Sequence, residues 1–128
     1  MVTNKKKKNK MSTLIIFNHQ PYDGSDIAWN ALKLAKTLYK KGEDVKIFLM
    51  NDSVDLARDT TKKPEFYEFD LVQILKKLYK GGVKLKVCGT CQARCGLNKK
   101  QPYFNDEIKG TMDDLASWIV KCDKVLTF

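Results

Sequence analysis

The chain has 128 residues, 43% apolar and 30% charged, the balance of one soluble domain that buries its own core without staples. No apolar run approaches the ~20 residues that span a bilayer, and the Lys-rich start leads only into Leu14-Ile15-Ile16-Phe17, too short for a secretory signal. The formal net charge of +9 is uneven, because Lys5, Lys6, Lys7, Lys8 and Lys10 carry much of it with no acid beside them. Residues 1–10 therefore read as a disordered, solvated tail, since blocks of like charge repel and do not pack. Contact with nucleic acid is expected, if anywhere, only through this tail, by release of counterions.

Residues 11–128 read as a single domain without repeats or linkers. Ser12 to Asn18 holds the apolar run Leu14-Ile15-Ile16-Phe17 and predicts a buried central strand. A polar loop, Asn18-His19-Gln20-Pro21-Tyr22-Asp23-Gly24-Ser25, follows. Ser25 is the expected N-cap of a helix reaching about Lys41, with Ile27, Ala28, Ala31, Leu32, Leu34, Ala35 and Leu38 on one face. Asp44 to Met50 is a second strand, followed by a turn into a short helix around Val54 to Arg58. Asp59 to Pro64 has no apolar residue and reads as a mobile loop. Phe69 to Tyr79 is helical by the spacing of Leu71, Val72, Ile74, Leu75 and Leu78, and closes on Gly81-Gly82. Val83 to Val87 alternates as a third strand. Tyr103 to Ile108 is ambiguous between strand and helix. Thr111-Met112-Asp113-Asp114 has the form of a capping box for a helix through Lys121, and Cys122 to Phe128 is a last strand.

Strands alternating with helices of this length call for parallel crossovers. The fold expected is a three-layer α/β/α sandwich with a mainly parallel sheet of about five strands. The loops after Phe17, Met50 and Val87 then converge on the edge formed by the strand C-termini, where open sheets of this class bind ligands.

Three of the four cysteines fall in that edge, within Val87-Cys88-Gly89-Thr90-Cys91-Gln92-Ala93-Arg94-Cys95-Gly96. In a reducing cytoplasm, where this chain is expected, such cysteines are reactive or metal-binding more often than paired. Gly89 and Thr90 place Cys88 and Cys91 around an accessible turn. Arg94 and main-chain amides near Gly89 offer positive potential to a thiolate. His19 and Tyr22 lie on a loop that faces the same edge and are candidates for contacting a substrate, although turn formation and capping account equally for Tyr22, Asp23 and Ser25.

With its elements in this order, the chain closely resembles the DsrE/DsrF-like family, small sulfur-handling proteins that include the TusD-type subunits. The resemblance rests on the first strand and its Pro21-Tyr22-Asp23-Gly24-Ser25 loop, and on Ala28-Trp29-Asn30-Ala31-Leu32-Lys33-Leu34-Ala35. It rests also on the entry from Gly81-Gly82-Val83 to Val87-Cys88-Gly89-Thr90-Cys91, and on the endings Gly110-Thr111-Met112-Asp113-Asp114-Leu115 and Asp123-Lys124-Val125-Leu126-Thr127-Phe128. It implies a mainly parallel sheet assembled into homo-oligomers, trimers or hexamers. It also implies sulfur carried as a cysteine persulfide between donor and acceptor proteins, with no bound cofactor. The family's sulfur-carrying cysteine maps to Cys88, with Cys91 beside it. Cys95 departs from the family pattern, adds a third thiol, and leaves open which of the three acts.

Two other chemistries compete. Cys88-x-x-Cys91 has the spacing of a thiol–disulfide couple, but it follows a late strand and has room for only a short helix. A zinc or iron–sulfur site from Cys88, Cys91 and Cys95 lacks a fourth ligand, because Cys122 begins a strand at the opposite edge. In that last reading the protein is a non-catalytic oligomeric binding module.

Overall fold

The structure, a computed structural model, describes residues 10–128; the Lys-rich tail read from the sequence lies almost wholly outside them. Five strands form one sheet: β1 (Ser12–Phe17), β2 (Asp44–Leu49), β3 (Lys84–Cys88), β4 (Lys109–Gly110) and β5 (Lys124–Thr127). Their spatial order is β4-β3-β2-β1-β5, and every pairing is parallel. Helices α1 (Ile27–Lys40), α2 (Leu71–Gly81), α3 (Cys91–Arg94) and α4 (Met112–Lys121) connect them, with 3₁₀ turns at Asn51–Ala57 and Asp106–Ile108. The expected sandwich is the observed one. Among the described residues no helix is long and apolar enough to cross a membrane.

The period-two geometry of the strands sorts the interior into two cores. Ile15, Phe17, Ile47, Leu49, Leu85 and Val87 point to one face, where Ala28, Ala31, Leu32 and Ala35 of α1 and Leu71, Leu75 and Leu78 of α2 cover them. Leu14, Ile16, Phe48 and Cys88 point to the other, where α4 contributes Leu115, with Trp118 packed against the cluster. The first core is closed by two helices. The second has one, and only Leu115 of that helix is buried.

Local chemistry sets the element boundaries. Asp70 caps α2 by accepting from the Gln73 amide at 3.2 Å, so this helix begins at Leu71 and not at Phe69. Phe69 instead stacks on Trp29, ring centroids 4.6 Å apart. α1 starts at Ile27 with Asp26 as its N-cap, one residue beyond the expected cap Ser25, whose hydroxyl donates to Asp23 at 2.6 Å and accepts from the Ile27 amide at 3.2 Å. The capping box at Thr111 and Asp114 is present. The segment expected to be a short α-helix near Val54–Arg58 is a 3₁₀ turn that begins at Asn51. Part of the ambiguous stretch after Tyr103 is the 3₁₀ turn Asp106–Ile108, which leads into the two-residue edge strand β4.

Candidate functional site

At the C-terminal edge of the sheet the strand-end loops are tied together. The Ser53 hydroxyl donates to the Phe17 carbonyl at 2.8 Å and the Met50 amide donates to the same oxygen at 3.1 Å. Asn51 donates to the Asn18 side chain at 2.9 Å, and the Gly89 amide donates to the Gly110 carbonyl at 3.0 Å. The sheet reverses its winding between β1 and β5, so β3 delivers its cysteine to the edge where open sheets of this class bind ligands, but two strands away from the switch point.

Cys88 is the last residue of β3, not the first of a loop. Strand alternation therefore fixes its direction. Val87 enters the core beneath α1 and α2, and Cys88 faces the α4 side among Leu14, Ile16, Phe48 and Leu115. Its carbonyl accepts from the buried Tyr103 hydroxyl at 2.7 Å. Its sulfur lies 3.2 Å from Thr90 Oγ1. Burial, with the residue only 8% exposed, works against ionisation. The Thr90 hydroxyl, the Cys91 thiol and the amides of Cys91 and Thr90 outweigh it and hold the Cys88 thiol below its ordinary value. Hydrogen bonds to the charged form favour that form.

Cys91 opens the single turn of α3, and the Cys95 amide closes it on the Cys91 carbonyl at 2.9 Å. The half-buried Cys91 side chain packs against both cores. Burial first, then the neighbouring Cys88 and Cys95, push its thiol up to about 12, against the Asn51 amide. Two thiols three residues apart are thus shifted in opposite directions. Hydrogen bonds favour the thiolate at Cys88, and burial favours the protonated thiol at Cys91.

The loop carrying these thiols is anchored by a buried ion pair that the sequence reading did not single out. Arg58 Nη1 donates to Asp55 Oδ1 at 2.9 Å and to the Cys95 carbonyl at 2.9 Å, and Nε donates to the Gln101 carbonyl at 3.0 Å. Nη2 donates to the Gln92 carbonyl. Asp55 accepts from the Leu97 amide at 2.7 Å, and Asp52 from the Gly96 amide at 2.9 Å. Its sequence signal was two opposite charges three residues apart inside the apolar stretch Val54, Leu56, Ala57, where a solvated pair would have no reason to sit.

The comparisons with known proteins agree with this arrangement. The model of the DsrE/DsrF-like family matches residues 11–128. The chain belongs to the DsrE/DsrF-like family. YchN of Escherichia coli K12 is 36% identical over 117 residues, 90% of this chain and 97% of that protein. An uncharacterised protein of Methanopyrus kandleri is 32% identical over 114 residues, 89% of this chain and 91% of its own. The crystal structure of the E. coli YchN protein superposes with a TM-score of 0.77 at 34% identity, covering 92% of this chain and 99% of that one. Membership of the DsrE/DsrF-like family points to a sulfur-relay related role.

In this DsrE/DsrF-like chain Cys88, Gly89, Thr90, Cys91 and Cys95 lie together at the end of β3 and around the short helix α3 that follows it. Arg94 ends α3 with its side chain exposed, and His19 is exposed on the loop after β1. The Tyr22 hydroxyl is committed to the backbone, accepting from the Leu71 amide at 2.8 Å and donating to the Phe69 carbonyl at 3.3 Å. Cys122 caps α4 just before β5, the edge strand separated from β3 by β2 and β1. Among the described residues, no group of three or more His, Cys, Asp or Glu side chains is disposed to hold a metal ion.

Proposed function

We propose that the protein carries sulfane sulfur as a persulfide on Cys88 and passes it to a partner protein. The observation that carries this reading is the Cys88 sulfur at a strand end, 3.2 Å from Thr90 Oγ1, in a setting that favours thiolate despite burial. A thiolate attacks the outer sulfur of a donor persulfide, forming the new S–S bond as the donor's own S–S bond breaks. The donor leaves as a thiolate and takes up a proton. Delivery repeats the step, with an acceptor thiolate attacking the outer sulfur on Cys88. Neither transfer needs an oxidant, a metal or a cofactor, because the sulfane sulfur keeps its oxidation level throughout.

The donor and acceptor are proteins that present a cysteine, and the carrier acts as a homo-oligomer. What supports assembly is the apolar surface left beside the thinly covered second core: Val120 is 83% exposed, and Ile119, Val125 and Leu126 are also open. Cyclic or dihedral symmetry, a trimer or a hexamer, would bury this surface on every copy.

Intact mass after exposure to inorganic polysulfide tests the carriage. The expected result is a gain of about 32 Da per chain, one sulfur atom, that is absent from Cys88→Ser. A full gain in Cys88→Ser assigns the sulfur elsewhere and overturns the reading.

A further inference from the structure

Carriage explains one thiol of three. Cys91 is placed differently from a bystander: it sits one turn beyond Cys88, next to its sulfur and next to Cys95, packed across both cores at the sheet edge. The turn that bears it is not free to swing, because Arg58 holds the carbonyls of Gln92 and Cys95 and Asp55 holds the amides of Leu97 and Asn98. All the cysteines are free thiols, so the electrons needed to reduce a sulfane sulfur are stored beside it.

We propose that Cys91 is a release thiol that converts the Cys88 persulfide into free sulfide, making the protein a source of hydrogen sulfide for an acceptor that is not itself a thiol. This rests on the carriage reading above. In the step, Cys91 Sγ attacks Cys88 Sγ and the Cys91–Cys88 disulfide forms. The bond from Cys88 Sγ to the outer sulfur breaks, and that sulfur leaves as hydrosulfide with the proton Cys91 gives up. Two thiol-level sulfurs are oxidised to a disulfide while one sulfane sulfur is reduced to sulfide, so the electrons balance without a further reactant. A dithiol reductant then reopens the disulfide by exchange and closes the cycle.

The spacing Cys-x-x-Cys is the one at which disulfides close and reopen within a single turn. The surroundings of the two sulfurs set the order of events. Cys88, whose sulfur lies 3.2 Å from Thr90 Oγ1 and whose thiol is held below its ordinary value, meets the donor first. Cys91, which keeps its proton beside Cys88, Cys95 and the Asn51 amide, does not compete for the incoming sulfur and has a proton to hand to the leaving sulfide. A slow second step also leaves time for a thiol acceptor, where one is docked, to take the sulfur directly. The consuming reaction in the release mode is attack of sulfide on an activated carbon or its capture by a metal centre.

The test uses full-length protein loaded with inorganic polysulfide, desalted, and held anaerobically without reductant while intact mass and free sulfide are followed. The adduct of about 32 Da is expected to decay to a species about 2 Da lighter than the starting protein, with one sulfide released per chain. Cys91→Ser and Cys91→Ala should keep the adduct and release sulfide at least ~10-fold more slowly, while Cys122→Ser behaves as the parent. Equal decay in the parent and both Cys91 variants overturns the release role and leaves carriage standing. Undiminished release in the Cys91 variants with a block in Cys95→Ser assigns release to Cys95 and also overturns it. Failure of the parent to take up any sulfur sinks both proposals together.

Discussion

Arg58 and Asp55 face each other across 2.9 Å with their side chains 0% and 2% exposed, and nearly every other donor and acceptor they own is spent on the backbone of the cysteine loop. Residues 92–101 contribute little to either core, so this pair does for the loop what burial does for the strands. Removing one partner leaves an unpaired buried charge and orphaned carbonyls. Arg58→Ala is expected to lose about 3–5 kcal/mol of unfolding free energy, and urea denaturation measures it. A loss below about 1 kcal/mol would mean that the pair behaves as a solvated one and does not anchor the loop.

Gly96 is part of the same anchor. Its φ is +88°, and a Cβ there would lie 2.5 Å from Asp55 Oδ1. Gly96→Ala must strain the backbone and push the carboxylate away from the amides it accepts from. A destabilisation of about 2 kcal/mol or more is expected, together with loss of sulfur uptake at Cys88 as the loop shifts. Unchanged stability and uptake would show that the loop tolerates displacement of Asp55.

The Cys88 thiolate gives a pH signature. Burial raises the thiol's pKa, while Thr90, the Cys91 thiol and two amides lower it by more. Since the net shift is downward, alkylation of Cys88 by iodoacetamide at pH 7 should be faster than that of an ordinary cysteine of equal exposure. It should fall only as pH drops through a value below the ~8.5 of free cysteine. Thr90→Val removes the hydroxyl 3.2 Å from the sulfur and is expected to move the pH dependence of alkylation upward, slowing it at pH 7 several-fold while the rates converge as pH rises toward 10. An equal loss at both pH values would point to blocked access and not to a changed pKa.

The uncovered side of the sheet predicts an assembly. β5 is exposed along its whole length, and Val120 on α4 is 83% exposed. The double variant Val120→Lys, Leu126→Lys is expected to dissociate the proposed oligomer into folded monomers, seen by light scattering coupled to size exclusion, with little change in circular dichroism. A variant of parental mass would place the interface elsewhere, and a monomeric parent would remove the premise.

What could be read from the sequence was whatever depends on near neighbours along the chain. The apolar run at Leu14–Phe17, the helical spacing from Ile27 to Leu38, the capping box at Thr111 and Asp114, and the alternation of Val83, Leu85 and Val87 are local patterns, and they placed the elements of a parallel sandwich. β4 escaped because two residues carry no period; it exists only because Val87 and Cys88 offer an edge for Lys109 and Gly110 to pair with. The cysteine loop was visible as composition but not as chemistry. Whether Cys88 ends a strand or begins a loop decides which face its sulfur takes, and that depends on register with a distant segment. The opposite shifts of the Cys88 and Cys91 thiols depend on burial and on hydrogen bonds that exist only after folding. The Asp55–Arg58 anchor joins groups about forty residues apart in sequence, a contact that no short-range pattern encodes.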